Sequence, residues 1–139
     1  MTVLAFDFGL ARTGVAIGNT ITGVVTPLCT LISINTKPDW NSISKLIEEW
    51  RPQTLVVGMP YLLDGTHSEM TEKAAKFSRQ LEGRYSLPVD TINEQLSSME
   101  AEQRLKQSRQ AGRKKKIKKE EIDQLAAAII LESWIMKNA

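Results

Sequence analysis

The chain has 139 residues, 42% of them hydrophobic and 24% charged, with a formal net charge of +2. That is the size and composition of one globular domain around one core, expected to span 1–139. No apolar run reaches bilayer length, no basic-then-apolar leader is seen, and the one cysteine, Cys29, cannot close an internal disulfide, so a membrane partner is not expected. Cys29 reads as a small buried hydrophobe, and a reducing cytoplasm is the expected compartment.

Three strand-like segments open the chain, at about 2–8, 13–19 and 23–34. They follow one another too closely for crossover helices, which predicts an antiparallel meander. The first, Val3-Leu4-Ala5-Phe6-Asp7-Phe8-Gly9, embeds one carboxylate in an apolar run. A charge taken out of water there must neutralise, pair or hold a cation. A carboxylate bonded to turn amides is the plainer alternative. Gly9 beside Asp7 is expected to leave room for a bulky ligand.

Asp39 is the expected N-cap of a helix carrying Ile43, Leu46, Ile47 and Trp50 at core-facing spacing, stopped by Pro52. Thr54-Leu55-Val56-Val57-Gly58 then reads as a strand buried on both faces and cut off at Met59-Pro60. Asp64-Gly65 marks a turn. Thr66 with Glu69 fits a capping box for a helix to about Glu82, with Met70, Ala74, Phe77 and Leu81 on one stripe. Pro88 to Ile92 is a short strand, and Ser97 with Glu100 fits a second capping box. A final helix, about 120–136, sets Ala126, Ala127, Ile130 and Trp134 on one side. Three strands followed by helix–strand–helix–strand–helix predict an α/β fold: a five-stranded mixed sheet, three antiparallel strands then two parallel, with helices on both faces. That order resembles the ribonuclease H-like arrangement.

Charge is unevenly spread. Residues 104–119 hold nine of the eighteen Lys/Arg and no acid, leaving nine bases against sixteen acids, net −7, elsewhere. The stretch at about 106–119 is expected to be a basic, flexible loop that meets a polyanion. Its candidates for nucleic-acid contact are Arg109, Arg113, Lys114, Lys115, Lys116 and Lys118, with Arg12 from the first turn.

Ligands of open α/β sheets gather beyond the carboxyl ends of the strands. Asp7 ends the first strand and Glu94 lies just past the fifth. Asp123 precedes Ala126 and Ala127 by three and four positions, on the sheet-facing side of the last helix. A solvated loop acid at 94 and a dipole-favoured first-turn acid at 123 are the plain readings of each alone. Together the three offer the oxygen ligands that hard cations require, and with His67 the only histidine a zinc site of the usual kind is improbable. Two Mg²⁺ or Mn²⁺ ions held so would activate a water and steady the leaving oxygen of a phosphodiester. No Ser/His/Asp or Cys/His set and no Walker-type loop can be assembled.

Asp7-Phe8-Gly9-Leu10-Ala11-Arg12-Thr13-Gly14-Val15-Ala16, Val57-Gly58-Met59-Pro60 with Asp64-Gly65, Glu94 with Leu96-Ser97-Ser98 and Ala101, and Ile122-Asp123 with Ala126 to Leu131 recur in one family. In that order they resemble the YqgF family of bacterial ribonuclease H-like proteins, pre-16S rRNA nucleases or Holliday-junction resolvase homologues. The resemblance covers essentially the whole chain. It implies that Asp7, Glu94 and Asp123 are a metal-binding catalytic triad trimming the 5′ end of the small-subunit rRNA precursor. Structured RNA, ribosomal precursor particles and branched DNA are the implied partners. One departure is visible: Asn93-Glu94-Gln95 stands where the family usually has Asp-Glu-Arg.

RNA trimming and DNA-junction cleavage would share this site, and the residues leave the polymer open. A non-catalytic RNA-binding processing or transcription factor is the third reading, kept alive by Asn93 and Gln95. The turn after Asp7 is also similar to the phosphate loop of actin-like ATPases, but those need two lobes. No exposed apolar stripe argues for more than a monomer or weak homodimer.

Overall fold

The computed structural model describes residues 1–60, 66, 68–93, 103, 104, 106, 107 and 118–138. Five strands form one sheet: β1 (Thr2–Asp7), β2 (Arg12–Asn19), β3 (Val25–Ile32), β4 (Thr54–Met59) and β5 (Val89–Asn93). Their spatial order is β3-β2-β1-β4-β5. β1 and β2, and β2 and β3, run antiparallel, while β1, β4 and β5 are parallel. This is the expected mixed sheet, with β1 at its centre.

Local chemistry explains the strand bounds. β1 and β4 are near-continuous Val, Leu, Ala and Phe runs and are buried on both faces, as parallel strands in α/β proteins are. β3 lies at an edge, where Pro27 is tolerated because only one side of the strand must donate. Its pairing with Ala16 sits at a register irregularity between Val15 and Ala16.

Among the described residues three helices with defined bounds flank the sheet: α1 (Trp40–Trp50), α2 (Glu69–Tyr85) and α3 (Lys119–Asn138). Asp39 caps α1 as expected, its carboxylate accepting from the Ser42 amide at 3.2 Å. α2 starts later than the sequence suggests. Its N-cap is Ser68, and the capping box closes with Thr71 rather than between Thr66 and Glu69. The Thr71 hydroxyl decides this: it bonds the Ser68 amide at 3.0 Å and also donates to the Pro60 carbonyl at 2.8 Å. The first turn of α2 is thereby tied to the end of β4, and Glu69 becomes a first-turn acid favoured by the helix dipole. α2 also runs on to Tyr85, with Ser86 in the left-handed cap.

α3 covers one face of the sheet, burying Ala127, Ala128, Ile130, Leu131 and Trp134 against Val3, Ala5, Ala16, Val56 and Ile92. α1 and α2 cover the other, where Ile43, Phe77 and Leu81 pack on Leu4, Phe6, Val15, Leu55 and Val57. The odd–even alternation of β1 between the two clusters is the period-2 rule at work. Trp50 departs from expectation. It is 38% exposed, because α1 fully buries only Ile43 and its final turn is left uncovered. Cys29 is half-buried against the α1/α2 side rather than enclosed.

Candidate functional site

The carboxyl ends of β1, β4 and β5 share one rim, as the pairings Phe6–Val57, Gly58–Ile92 and Met59–Asn93 require. Asp7 ends β1 there, half-buried. Its antiparallel partner is Gly14 on β2. Directly opposed residues of an antiparallel pair project to the same face. Asp7 therefore shares the face of Val3, Ala5 and Gly14, the face that α3 covers.

Gly14 explains how α3 reaches that position. A Cβ at Gly14 would lie 1.9 Å from the Asp123 carbonyl oxygen, closer than any real contact. Only a residue without a side chain lets the first turns of the helix settle on β2. Farther along, Ile130 fills the space above Gly58, where a Cβ would meet it at 2.4 Å. The same helix is anchored from β3, where the Thr30 hydroxyl donates to the Glu120 carbonyl at 2.7 Å. Thr30 is the β3 partner of Gly14, so Asp7, Gly14 and Thr30 form one row under the start of α3. The Asp123 backbone thus rests on the same glycine that pairs with Asp7.

Asp123 is not solitary. Arg12 Nε donates to Asp123 Oδ2 at 2.7 Å, with side chains 32% and 18% exposed. Arg12 is two residues before Gly14 on β2, hence on the same face. The hydrogen bond to Asp123, and then its negative charge, push the Arg12 guanidinium pKa still higher. The cation is permanent, and it offsets the charge of one candidate ligand. Sequence reasoning assigned Arg12 to the nucleic-acid backbone and missed this pairing, although the Arg12-x-Gly14 spacing was the signal for it.

The donor set fits hard divalent cations. Asp7 and Asp123 would supply oxygen only, the donor type that hard divalent cations take, and among the described residues no group of three or more His, Cys, Asp or Glu is placed to hold a metal ion. Glu94, immediately after β5, lies outside the described residues, as do His67, the Asp64-Gly65 turn and the Ser97/Glu100 box. So do Arg109, Arg113, Lys114, Lys115 and Lys116, and with them most of the expected basic loop at 106–119. Lys118 is described: it is exposed, and its carbonyl accepts from the Glu121 amide at 3.1 Å as α3 begins. Arg104, at the start of the basic stretch, pairs with Glu132 of α3 at 3.4 Å. No described helix is long and apolar enough to cross a membrane.

Comparison with known proteins adds to this geometry. The family model RuvX, described as Holliday junction resolvase, matches residues 1–137. A protein of Azotobacter vinelandii called "Putative pre-16S rRNA nuclease" is 45% identical over 98% of this chain and 94% of its own length. One of the same name from Hydrogenovibrio crunogenus is 49% identical over 96% and 92%. Among solved structures, RuvC of T. thermophilus in complex with a Holliday junction substrate superposes with a TM-score of 0.55. It shares 13% identity and covers 99% of this chain and 96% of that one. The fowlpox virus resolvase bound to Holliday junction DNA gives 0.56, at 11% identity and 99% of both chains. At such identities these two likenesses speak for the fold, a resolvase-type ribonuclease H-like sheet.

Proposed function

Because the chain belongs to the RuvX family, we propose that it is a metal-dependent nuclease that processes the 5′ end of pre-16S rRNA in precursor particles in the cytoplasm. The observation that supports this reading is that Gly14, the β2 partner of Asp7, carries the Asp123 backbone of α3 directly upon it. The name borne by relatives at 45% and 49% identity supports the RNA substrate.

Asp7, Asp123 and Glu94 would hold two Mg²⁺ or Mn²⁺ ions, which when bound supply an activated water and stabilise the leaving oxygen of a phosphodiester. The chain's own residues do the rest. β1 and α3 carry Asp7 and Asp123 on rigid elements, the Gly14 contact seats the start of α3 on β2, and Arg12 orients the Asp123 carboxylate. Lys118, with Arg109, Arg113, Lys114, Lys115 and Lys116, would draw in the phosphate backbone that the acidic site alone repels.

The test is Mn²⁺-dependent cleavage of a precursor rRNA fragment by the wild type and by Asp7→Asn. Removal of one ligand should lower the rate at least about a hundredfold, the equivalent of a few kcal/mol of lost charge stabilisation. Equal rates would overturn the catalytic assignment. A four-way DNA junction in the same assay ranks the resolvase reading, which the junction-bound structural neighbours favour. RNA binding that survives Asp7→Asn and chelator, with cellular complementation by that variant, would mean a non-catalytic processing factor.

A further inference from the structure

On the α1/α2 side of the same rim lies a groove of about 670 Å³ whose floor is aromatic and whose walls are cationic. Phe8, the residue after Asp7, stacks on Phe77 at 4.8 Å, and Trp40 stacks on Phe77 at 5.7 Å. Arg84 lies over the Trp40 ring, its guanidinium carbon 4.1 Å from the centroid. A guanidinium held flat on an indole keeps its N–H edge turned outward, the arrangement suited to bidentate phosphate contact. Lys73, Lys76 and Arg84 are spaced along one stripe of α2, and Lys37 faces them from the β3–α1 connection. Among the described residues no Asp or Glu lines the groove, although Lys73 meets Glu69 at 3.3 Å on the exposed helix surface.

The turn that presents Lys37 is strained. Asn35 and Thr36 both adopt left-handed backbone, with φ of 52° and 63°, and Ile34 and Lys37 close the turn with two backbone hydrogen bonds. A β-branched threonine pays for that conformation, and such outliers persist where the surroundings over-determine them, often at ligand sites. With one carboxylate, Glu69, set against four cations, the surplus positive charge is one that a polyanion would answer.

We propose that this groove is a second nucleic-acid site, which holds the backbone of a single-stranded arm next to the scissile position. From Lys73 to Arg84 the stripe extends roughly 16 Å, long enough to follow a few consecutive phosphates of one strand. Asp7 and Phe8 are consecutive and project to opposite faces, so a strand bound by the groove passes the carboxylates at its end. The occupant is a nucleic-acid strand rather than an acidic peptide because the cations stand beside Phe8 and Trp40, rings on which bases can stack while Arg84 and the lysines take the phosphates. This inference rests on the proposal that the protein acts on nucleic acid, but not on catalysis.

The experiment measures binding in EDTA, where no cleavage occurs, to an RNA duplex with a single-stranded arm and to the same duplex blunt-ended. The Lys76→Ala/Arg84→Ala double variant should bind the armed duplex about tenfold more weakly and leave the blunt duplex unchanged. Its slope of log affinity against log salt should fall by about 1.4, two phosphates at about 0.7 each. Arg79→Ala, exposed on α2 but outside the groove, should change nothing. Lys37→Ala/Lys73→Ala, which leaves the Arg84–Trp40 stack intact, should reproduce the loss if the first pair unfolds. Unchanged affinity and slope for the armed duplex, or an equal loss on both duplexes, would overturn the groove. Failure of the catalytic reading would show separately, as equal cleavage by Asp7→Asn with the arm preference intact.

Discussion

The two faces of the sheet are built to opposite rules. Against α3 the sheet presents Gly14, Ala16, Gly18, Ala5 and Gly58, and the helix answers with Ala127 and Ala128, whereas Ala126, expected on the same side, packs with Ile129 in a separate cluster. Backbone meets backbone there, and a carboxylate at the helix start is set to within the tolerance of a single missing Cβ. Against α1 and α2 the sheet presents Leu4, Phe6 and Leu55, and the helices answer with Phe77, Leu81 and Trp40. Large rings fill that side, and the contacts that reach solvent are long, cationic and adjustable. Small residues position, whereas large residues fill and present.

The sharpest way to break this contrast is to damage each face and ask what fails. Phe77 is 1% exposed and touches Phe6, Phe8 and Trp40, so Phe77→Ala should cost about 3–5 kcal/mol in urea unfolding. Its folded fraction should still bind Mn²⁺ with wild-type affinity in calorimetry. Gly14→Val should cost somewhat less, about 3 kcal/mol from overpacking against the Asp123 backbone. It should nevertheless abolish Mn²⁺ binding in the same measurement. Loss of metal binding in the first variant, or its retention in the second, would erase the distinction.

Arg12→Ala sharpens the α3 side alone. The pair with Asp123 is partly exposed, so stability should fall by less than about 1 kcal/mol. Mn²⁺ should bind severalfold more tightly without nucleic acid, since the competing cation is gone. Unchanged affinity would mean that Arg12 and a metal share Asp123 without rivalry. The smallest effect belongs to the α1/α2 side. Burial, and then the field of Glu49, raise the Cys29 thiol above its usual range. A raised thiol pKa means less thiolate at neutral pH, so alkylation of native protein should be slower than in urea. The gap should close as pH climbs past the native value.

Much of this was legible in the sequence for reasons that are local. The β1, β2 and β4 runs announced themselves by composition, Asp39 by its side chain, and Asp7 by being a charge in an apolar strand. The start of α2 was missed because Ser68 gains from Thr71 and Pro60 together, and a carbonyl of another element leaves no mark in a local pattern. Trp50 was misread since periodicity tells which side of a helix is apolar, not how far the sheet beneath it extends. Gly9 is needed for the tight turn, since a Cβ there would sit 2.5 Å from the Arg12 carbonyl oxygen, a close approach the sequence reading did not anticipate. The cations of the groove come from two distant segments, and only folding sets Lys37 opposite Arg84.

The ion pair between Arg12 and Asp123 joins residues 111 positions apart. On the ribosome, β1 with Asp7 emerges well before α3 exists, so a half-made chain carries an incomplete ligand set and an open sheet face. Under the proposed reading, hydrolytic competence would therefore arrive in a single late event, the docking of one helix.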